Sequence, residues 1–360
     1  MKSKAINFLQ RLDQFIAECS SGRKLQKSGA RIGQGTIQNY RSLRLLLSIF
    51  TTEENFELRI RSVNKMTARE MRSERSYWKR FYRKFTGYLY DKRHMSDNTV
   101  ATNLKLIRSF LNHLKRDGQI AVGDFHHNFY VRPEEIPIVV LQPEQLNRLI
   151  RDKAFEASLP EYLQRTKDVF VFGCTVGLRI SDLFALRKSN LETSEGRWYL
   201  SVRSRKTGER SRVALPDYAM AILKKYRRTA KTLLPRLSIS RLNGNIKELV
   251  ERAGWTHEVP KVRLRRGRPV TLRNNGKSYR FCDLVSSHTM RRTAITTMLR
   301  YGMPELMVRR ISGHRDGSKE FYRYVRFAQS YQDHETDKVF SRFNQSDPKS
   351  VEQSADGSRS

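Results

Sequence analysis

Three motifs, far apart in the sequence, carry side chains that can hold or attack a phosphate group. They are Gly177-Leu178-Arg179-Ile180-Ser181-Asp182-Leu183, His288-Thr289-Met290-Arg291-Arg292-Thr293, and Gly313-His314 followed by Phe321-Tyr322-Arg323-Tyr324-Val325. Arginine clamps an oxyanion through paired N–H donors, and histidine donates hydrogen bonds or protons near neutral pH. A tyrosine hydroxyl can become a covalent nucleophile. Together these groups form a chemically complete set for attack on a phosphate ester.

The charge of the chain indicates which kind of phosphate this is. The 360 residues include 70 Lys and Arg against 36 Asp and Glu, which gives a formal net charge of +34. Such an excess predicts a polyanionic partner, nucleic acid, and binding that weakens with salt through counterion release. A ribosomal or chromatin-like protein that only binds is the alternative that composition leaves open.

Several classes of protein are disfavoured by the rest of the sequence. The chain contains no run of about 18 apolar residues, the length that a membrane-spanning helix needs. The polar start of the chain lacks the apolar stretch of a signal peptide. Cys19, Cys174 and Cys282 are too widely spaced for a metal site or a disulfide set, which favours a reducing, cytoplasmic setting. No glycine-rich phosphate loop is present. We therefore expect no membrane partner, no metal and no cofactor.

Apolar periodicity predicts a mainly α chain with a small β-sheet, an α+β fold. Residues 1–35 are polar and basic around one short helical pattern, and we expect a flexible segment that ends in a hinge at 33–35. Residues 36–118 are predicted to be helical, with aromatic residues as core and the lysines and arginines between them as a DNA-facing surface. The apolar set is Tyr77, Trp78, Phe81, Tyr82, Phe85, Tyr88 and Leu89, and the basic set is Lys79, Arg80, Arg83 and Lys84.

A linker and a second domain follow these helices. Residues 119–142 are extended in character, because Arg132-Pro133 and Ile136-Pro137 cannot lie inside a helix. The second domain is predicted over 143–344. Residues 345–360 are rich in Ser, Asp and Gln and are predicted to be disordered.

The second domain contains two segments that are typical of β-hairpins. Alternating residues at 198–202 and 212–215 predict paired strands, and Lys206 lies in the turn between them. The segment 260–280 is very basic and rich in Gly and Asn, which suggests a hairpin or loop over a phosphate backbone.

The motifs, taken in order, resemble those of the tyrosine recombinases of the phage-integrase family, including integrases of the Bacteroidetes type. The resemblance covers residues 140–340 and, more generically, 36–118. The family pattern is an arginine in Gly-x-Arg-x-x-Glu/Asp-Leu at a helix start, a lysine in a β-turn, His-x-x-Arg, Gly-His, and then a tyrosine. Matches in this order are highly specific. In this chain they fall on Arg179, Lys206, His288, Arg291, His314 and Tyr324.

The resemblance implies a helical core-binding domain and a catalytic domain that clamp a DNA duplex. The tyrosine would attack a phosphodiester and leave a 3′-phosphotyrosyl link with a free 5′-hydroxyl, and rejoining would need neither metal nor ATP. Arg179 and Arg291 would hold the charge that develops on the phosphate. Lys206 would act as general acid on the leaving oxygen. His288 would accept the tyrosine proton, and His314 would brace the phosphate.

Three assignments within the motifs have alternatives. Lys206, followed by Thr207, is the family-like pair, and its basic neighbours Arg203, Arg205 and Arg210 are the alternatives because turn lengths vary in the family. The segment 321–325 resembles the Phe-x-x-Tyr-Ile/Val form of many Bacteroidetes-type integrases, which favours Tyr324 as nucleophile. Alignment on the Tyr-x-His-Val form makes Tyr322 the nucleophile instead and puts Tyr324 in the place of the histidine. Arg292 stands where many relatives carry a second histidine, and it is a candidate for a further phosphate contact.

The amphipathic pattern near the end of the sequence indicates how subunits could assemble. Tyr331, His334, Val339 and Phe340 form a short amphipathic pattern. Because a C-terminal helix docks into a neighbouring subunit in the family, the resemblance implies a homotetramer assembled on double-stranded DNA. Packing of this helix on its own domain is the alternative. An accessory DNA-bending protein is a further candidate partner.

The sequence therefore predicts a site-specific DNA recombinase or integrase of a mobile element. The rivals are a DNA-binding relative that has lost catalysis, a type IB topoisomerase-like enzyme, and a generic RNA-binding protein. A pure binder needs no tyrosine and no paired histidines. A helix beyond the tyrosine and a helical N-terminal domain favour recombination over the topoisomerase reading.

Overall fold

The structure is a computed structural model that describes residues 5–26, 28–117, 120–204, 208–226 and 232–343. Its contacts divide the chain into two units: unit 1 is Met1–Ile136 with Pro260–Arg273, and unit 2 is Pro137–Val259 with Asn274–Ser360. The tail predicted to be disordered, 345–360, lies outside the described residues. No helix within the described ranges is long and apolar enough to cross a membrane.

Helices dominate the described residues and the strands are short, so the predicted α+β class is confirmed. In chain order the elements are β1 (Ile6–Asn7), α1 (Phe8–Ser21), α2 (Gln34–Glu53), β2 (Arg59–Ile60), α3 (Ala68–Asp91), α4 (Asp97–Arg116), a 3₁₀ turn (Asp124–Asn128), α5 (Pro143–Arg151), α6 (Lys153–Ser158), α7 (Glu161–Val176), α8 (Ile180–Leu183), a 3₁₀ turn (Lys188–Asn190), β3 (Leu191–Ser194), β4 (Arg197–Arg203), β5 (Arg210–Ala214), α9 (Asp217–Lys225), α10 (Ile239–Arg252), β6 (Lys261–Arg265), β7 (Arg268–Leu272), α11 (Phe281–Leu284), α12 (Ser287–Arg300), α13 (Glu305–Ser312) and α14 (Lys319–Phe343).

Unit 1 is held together by an aromatic core. The rings of Phe8, Phe50, Phe81, Phe85 and Phe110 have no exposed surface. Phe50 meets Phe81 and Phe85 edge to face, with ring centroids 6.0 and 5.1 Å apart. Such pairs add about 0.5–1.5 kcal/mol each beyond the burial of their area. The prediction that the aromatic residues of α3 form core is confirmed, and the four lysines and arginines interleaved with them are exposed.

The N-terminal segment differs from the flexible lead that is expected from the sequence over 1–35. Helix α1 buries Phe8 and Leu12 completely, and Phe8 packs on Phe110 of α4 with ring centroids 5.1 Å apart. The apolar residues of this short helical pattern all lie on one face, and burial of a Phe or Leu side chain contributes about 1.5–3 kcal/mol. That gain offsets the entropy of ordering the segment. The predicted hinge instead supplies the start of α2, with Gly33 as its N-cap.

The basic hairpin β6–β7 groups with unit 1, although its place in the sequence predicts that it belongs to the domain over 143–344. Its turn residues Arg266 and Gly267 both have positive φ, 53° and 73°, as a two-residue type I′ hairpin turn requires. Their amides donate to the two carboxylate oxygens of Asp97 at 2.8 and 2.9 Å, and the Tyr90 hydroxyl donates to the same carboxylate. Asp97 is 3% exposed. A buried carboxylate needs such donors, so this contact holds the hairpin on α4.

Unit 2 is built around α7 and α12, with the antiparallel sheet β3–β4–β5. Val169, Phe170 and Phe172 of α7 are fully buried in a core that also includes Leu200 of β4. Leu200 lies opposite Val213 in the β4–β5 register. The paired strands that the sequence predicts are therefore present, and they flank the turn that contains Lys206.

The contact between α7 and α12 leaves no space for a side chain at Gly173. A Cβ built there would lie 2.5 Å from Sδ and 3.1 Å from Cβ of Met290. Met290 is 1% exposed and cannot swing into solvent. We expect Gly173→Ala to destabilise the protein by about 1–3 kcal/mol through overpacking. The measurement is the free energy of unfolding in urea.

A matched control is Gly244→Ala. This glycine lies inside α10 with nothing within 4 Å of an added Cβ, so the change should be stabilising by about 0.5–1 kcal/mol. In a Met290→Ala background, which removes the 2.5 Å contact with Sδ and leaves the 3.1 Å contact with Cβ, the cost of Gly173→Ala should fall. An equal cost in both backgrounds would contradict the proposed clash.

Candidate active site

Arg179 owes its position to a reversal at the end of α7. The helix ends at Val176, and Gly177 follows in the left-handed conformation with φ of 64°. Side chains are disfavoured there, so glycine fits this position. Arg179 then forms the N-cap of α8, and its Nη1 donates a 3.0 Å hydrogen bond to the hydroxyl of Ser204, just after β4. The first motif thus holds a half-buried guanidinium between a helix start and the sheet.

Arg291 is a buried cation near the start of α12. It is 4% exposed, and its Nη1 donates to the carbonyl oxygen of Gly177 at 3.0 Å. Burial and the neighbouring Arg179 lower the pKa of its guanidinium to about 10, while the carboxylate of Asp182 opposes this shift. The group therefore stays protonated at neutral pH. Because a buried charge is costly without a counter-charge, this pair of arginines favours binding of an oxyanion.

His314 supports Arg291. Gly313 ends α13 in the left-handed conformation, with φ of 61°. Nη2 of Arg291 lies 3.0 Å from Nε2 of His314, and the hydroxyl of Ser312 lies 2.8 Å from its Nδ1. Nη2 of Arg291 also lies 3.3 Å from Nδ1 of the same ring, and because a guanidinium can only donate, the imidazole that it contacts is neutral. Burial and the two arginines, Arg291 and Arg179, lower the pKa of His314 to about 3, which keeps the imidazole neutral at working pH.

The two candidate tyrosines lie in different surroundings on α14. Tyr324 is 1% exposed and Tyr322 is 49% exposed. The ring of Tyr324 lies 6.0 Å from that of His314, centroid to centroid. Burial and the Glu320 carboxylate raise the pKa of Tyr324, and Arg292 and Arg291 oppose that rise. Of the two hydroxyls, that of Tyr324 therefore lies in the field of the arginines.

His288 and Lys206 complete the predicted set. His288 is exposed in the first turn of α12, and partial burial of its ring, with Arg292 and Arg291 nearby, lowers its pKa. Lys206 lies outside the described residues. On either side of it, the Ser204 amide donates to the Glu209 carbonyl oxygen at 2.8 Å. The Ser204 hydroxyl also accepts from Arg179.

Sequence reasoning did not single out three residues that contact the predicted set. They are Ser204, Ser312 and Glu320. Arg292, predicted as a phosphate contact, lies near the tyrosine hydroxyl. The sequence could have identified Glu320 as a neighbour of Tyr324, since it precedes Tyr324 by four residues on a helix and such residues share a face. It could not have identified the two serines, because only the fold brings them to Arg179 and His314.

Arg179, Arg291, His314 and Tyr324 converge within unit 2 although they span almost 150 positions of the sequence. Two guanidinium groups, a neutral imidazole and a buried phenol can together bind a phosphodiester and attack it at phosphorus.

Solved structures share this fold. XerH site-specific recombinase bound to a palindromic difH substrate, in a post-cleavage complex, aligns with a TM-score of 0.61 at 11% identity over 93% of this chain and 99% of that one. A lambda integrase dimer bound to a COC′ core site aligns at 0.57 and 13% over 89% and 78%. The Tn1549 transposon integrase in complex with circular intermediate DNA aligns at 0.55 and 14% over 89% and 95%. At these identities the likeness concerns the fold alone.

Comparison of sequences, unlike comparison of folds, identifies the family. No curated protein matches the chain, but the model of the phage integrase family matches residues 140–331, which is more than half of the 360 residues. The matched range contains each of the three motifs and the converging residues described above. The chain therefore belongs to the phage integrase family and is a tyrosine recombinase.

Proposed function

We propose that this chain cleaves and rejoins DNA at a specific site with Tyr324 as the nucleophile, through a 3′-phosphotyrosyl intermediate, as an integrase of a mobile element. The observation that carries this proposal is the convergence of Tyr324 with Arg179, Arg291 and His314 in unit 2. Because the covalent link conserves the energy of the phosphodiester, rejoining needs neither ATP nor a metal ion.

Each polar group has a role in this reaction. Arg179 and Arg291 hold the nonbridging oxygens as negative charge develops, and one pre-positioned donor contributes about 100- to 1,000-fold in rate. Neutral His314 accepts from Arg291 and so orients its guanidinium. Lys206, which follows Ser204 by two residues in the sequence, donates a proton to the departing 5′-oxygen. His288, in the first turn of α12, completes the contacts to the phosphate.

Unit 1 supplies a surface that suits a DNA backbone. Arg72, Arg75, Lys79 and Arg83 are exposed and recur every three or four residues on α3, so they form one stripe. Such a stripe contacts phosphates and positions the protein without reading the bases. We propose that it binds the DNA duplex, with an affinity that falls steeply with salt.

We propose that the active assembly is a homotetramer on DNA, formed through exchange of the segment after Tyr324. A lambda integrase tetramer bound to a Holliday junction shares the fold of this chain, with a TM-score of 0.56. Phe340, near the end of α14, is 60% exposed and offers an apolar contact for a neighbour.

Covalent capture tests the proposed reaction and identifies the recombination site in the same experiment. The protein is incubated with fragmented genomic DNA from its host, without divalent metal, and denatured with detergent. Protein-linked DNA is precipitated and sequenced, and the modified peptide is identified by mass spectrometry. We expect recovery of one recurrent sequence, linked through its 3′-phosphate to the peptide with Tyr324, and no loss of yield with EDTA.

Three outcomes separate the rival functions. Tight salt-sensitive binding without any covalent product would place the chain with the inactive DNA-binding relatives. Covalent product spread over unrelated sequences would favour a topoisomerase-like enzyme. Enriched sites that are then joined to one another in a two-duplex assay support recombination.

A further inference from the structure

The hydroxyl of Tyr324 faces a carboxylate on its own helix. It donates to Oε1 of Glu320 at 3.5 Å. Glu320 precedes Tyr324 by four residues, which places both side chains on one face of α14. Hydrogen bonds of catalytic groups are often long before substrate binds and shorten in the reactive complex. The contact therefore has the geometry of a nucleophile beside its proton acceptor.

A phenol at this position needs such an acceptor. Burial and the Glu320 carboxylate raise the pKa of Tyr324 above its ordinary value, so the hydroxyl is protonated at neutral pH. The charged and titratable groups that face it are Glu320 on α14, Arg291 and Arg292 on α12, and Arg179 at the start of α8. His314 lies beside the ring. Arginines stabilise a phenolate but cannot remove its proton, and the low pKa of His314 makes that imidazole a poor base.

The charge of Glu320 is balanced, so it can lie near a DNA phosphate. Nη1 of Arg323 lies 3.2 Å from its Oε2 and 3.4 Å from its Oε1. Glu320 also lies in the first turn of α14, where the helix dipole favours a negative group. Together with the arginines of α8 and α12, these contacts keep the site attractive to an anion.

We propose that Glu320 is the general base that takes the proton of Tyr324, a proposal that rests on the function proposed above. As Oη forms its bond to phosphorus and the bond from phosphorus to the 5′-oxygen breaks, the Oη proton moves to Oε1 of Glu320. The 5′-oxygen takes its proton from a separate acid, for which Lys206 is the candidate. On rejoining, the 5′-hydroxyl attacks phosphorus and gives its proton back to the acid, Lys206, while the protonated Glu320 returns its proton to the departing Tyr324 oxygen.

His288 is the rival for this role. The family resemblance assigns the tyrosine proton to it, but among the hydrogen bonds of the described residues Tyr324 reaches Glu320 and not His288. The Glu320 carboxylate is close enough to His288 to raise its pKa against the opposing arginines. His288 therefore lies in the same neighbourhood, and a test must separate the two side chains.

The test uses Glu320→Gln on a substrate cut from the captured site. Glutamine keeps the shape and hydrogen bonding of the side chain but cannot accept the proton. We expect the rate of adduct formation to fall by about 100- to 10,000-fold, the usual contribution of a general base, with unchanged DNA binding and melting temperature. Asp333→Asn, which removes an exposed carboxylate from the same helix, is the matched control and should react like the parent.

Two changes to the reactants distinguish a base from other roles. A substrate with sulfur in place of the bridging 5′-oxygen needs no acid for its leaving group, so it should restore activity to Lys206→Ala but leave Glu320→Gln slow. Incorporation of 3,5-difluorotyrosine at 324, whose phenol is more acidic, should shrink the defect of Glu320→Gln. It should also weaken the pH dependence of the rate.

Several outcomes would overturn the proposal. If Glu320→Gln forms adduct at the rate of the parent, Glu320 is not the base. If it forms adduct faster, Glu320 slows the attack by Tyr324. Rescue by the sulfur substrate would assign Glu320 to the leaving group, and rescue of His288→Gln alone by difluorotyrosine would assign the base role to His288. If the parent enzyme forms no adduct at all, the failure lies in the proposed function and not in the assignment of Glu320.

Discussion

Tyr324→Phe should abolish the covalent DNA adduct while leaving DNA affinity and folding close to those of the parent. The substitution removes only the hydroxyl that would form the bond to phosphorus, and no other group in the site can replace it as a tyrosine nucleophile. The ring remains packed at 1% exposure in the cluster with Phe321 and Val325. Adduct formation is measured on a denaturing gel with the captured site, and affinity by a mobility shift at fixed salt.

Tyr322→Phe is the matched control for this prediction. Tyr322 is two residues away on the same helix but 49% exposed, so it should form adduct at the rate of the parent. The opposite pattern, with adduct lost only in Tyr322→Phe, would keep the activity and overturn the choice of nucleophile. It would also require α14 to turn when DNA binds, because residues two apart point to different sides of a helix.

Arg179→Ala should slow adduct formation by about 100- to 1,000-fold for each phosphate donor that it removes. The half-buried side chain donates at 3.0 Å to the Ser204 hydroxyl and at 3.5 Å to the Gly313 carbonyl oxygen, so only one of its hydrogen bonds is short. Arg179→Lys should recover only a small part of the rate, because an ammonium group lacks the planar fork that matches two phosphate oxygens. Single-turnover kinetics at saturating DNA separate this effect from weaker binding.

Arg310→Ala controls for the loss of one positive charge. Arg310 is exposed on α13 of the same unit, so its removal should alter affinity at most and leave the rate at saturating DNA unchanged. An equal fall in rate for both variants would show that general charge, not a phosphate contact, explains the effect. Arg291 is a less suitable first choice, because its side chain also holds the Gly177 carbonyl and His314, and its removal would disturb the fold.

The polar motifs were readable from the sequence because their spacing is imposed by local geometry. Gly177 precedes Arg179 since the chain must reverse in the left-handed conformation, and Gly313 precedes His314 for the same reason. The buried aromatic face of α3 was equally readable, because helical spacing places those rings on one side. These features depend on residues close together in the chain.

Other features depend on partners that are distant in sequence. The segment 1–35 was expected to be flexible because, as a whole, it is polar and basic, yet Phe110 and the rest of the aromatic core hold its helix in place. The basic hairpin over 261–272 was placed with the wrong neighbours, because the buried Asp97 that accepts its turn amides lies about 170 residues earlier. The sequence around each segment does not indicate that Phe110 or Asp97 is its partner.

The sequence by itself determined the family and the class of reaction and predicted the residue types of the site, because the motifs carry the side chains that phosphate chemistry requires. Tertiary structure decided which of the two tyrosines lies among the arginines, since Tyr322 and Tyr324 share one helix and differ only in the side that meets α12 and His314. It also decided that His314 is neutral and bound to Arg291. The burial and the electrostatic environment of a side chain depend on all the elements packed around it. A short stretch of sequence therefore cannot determine them.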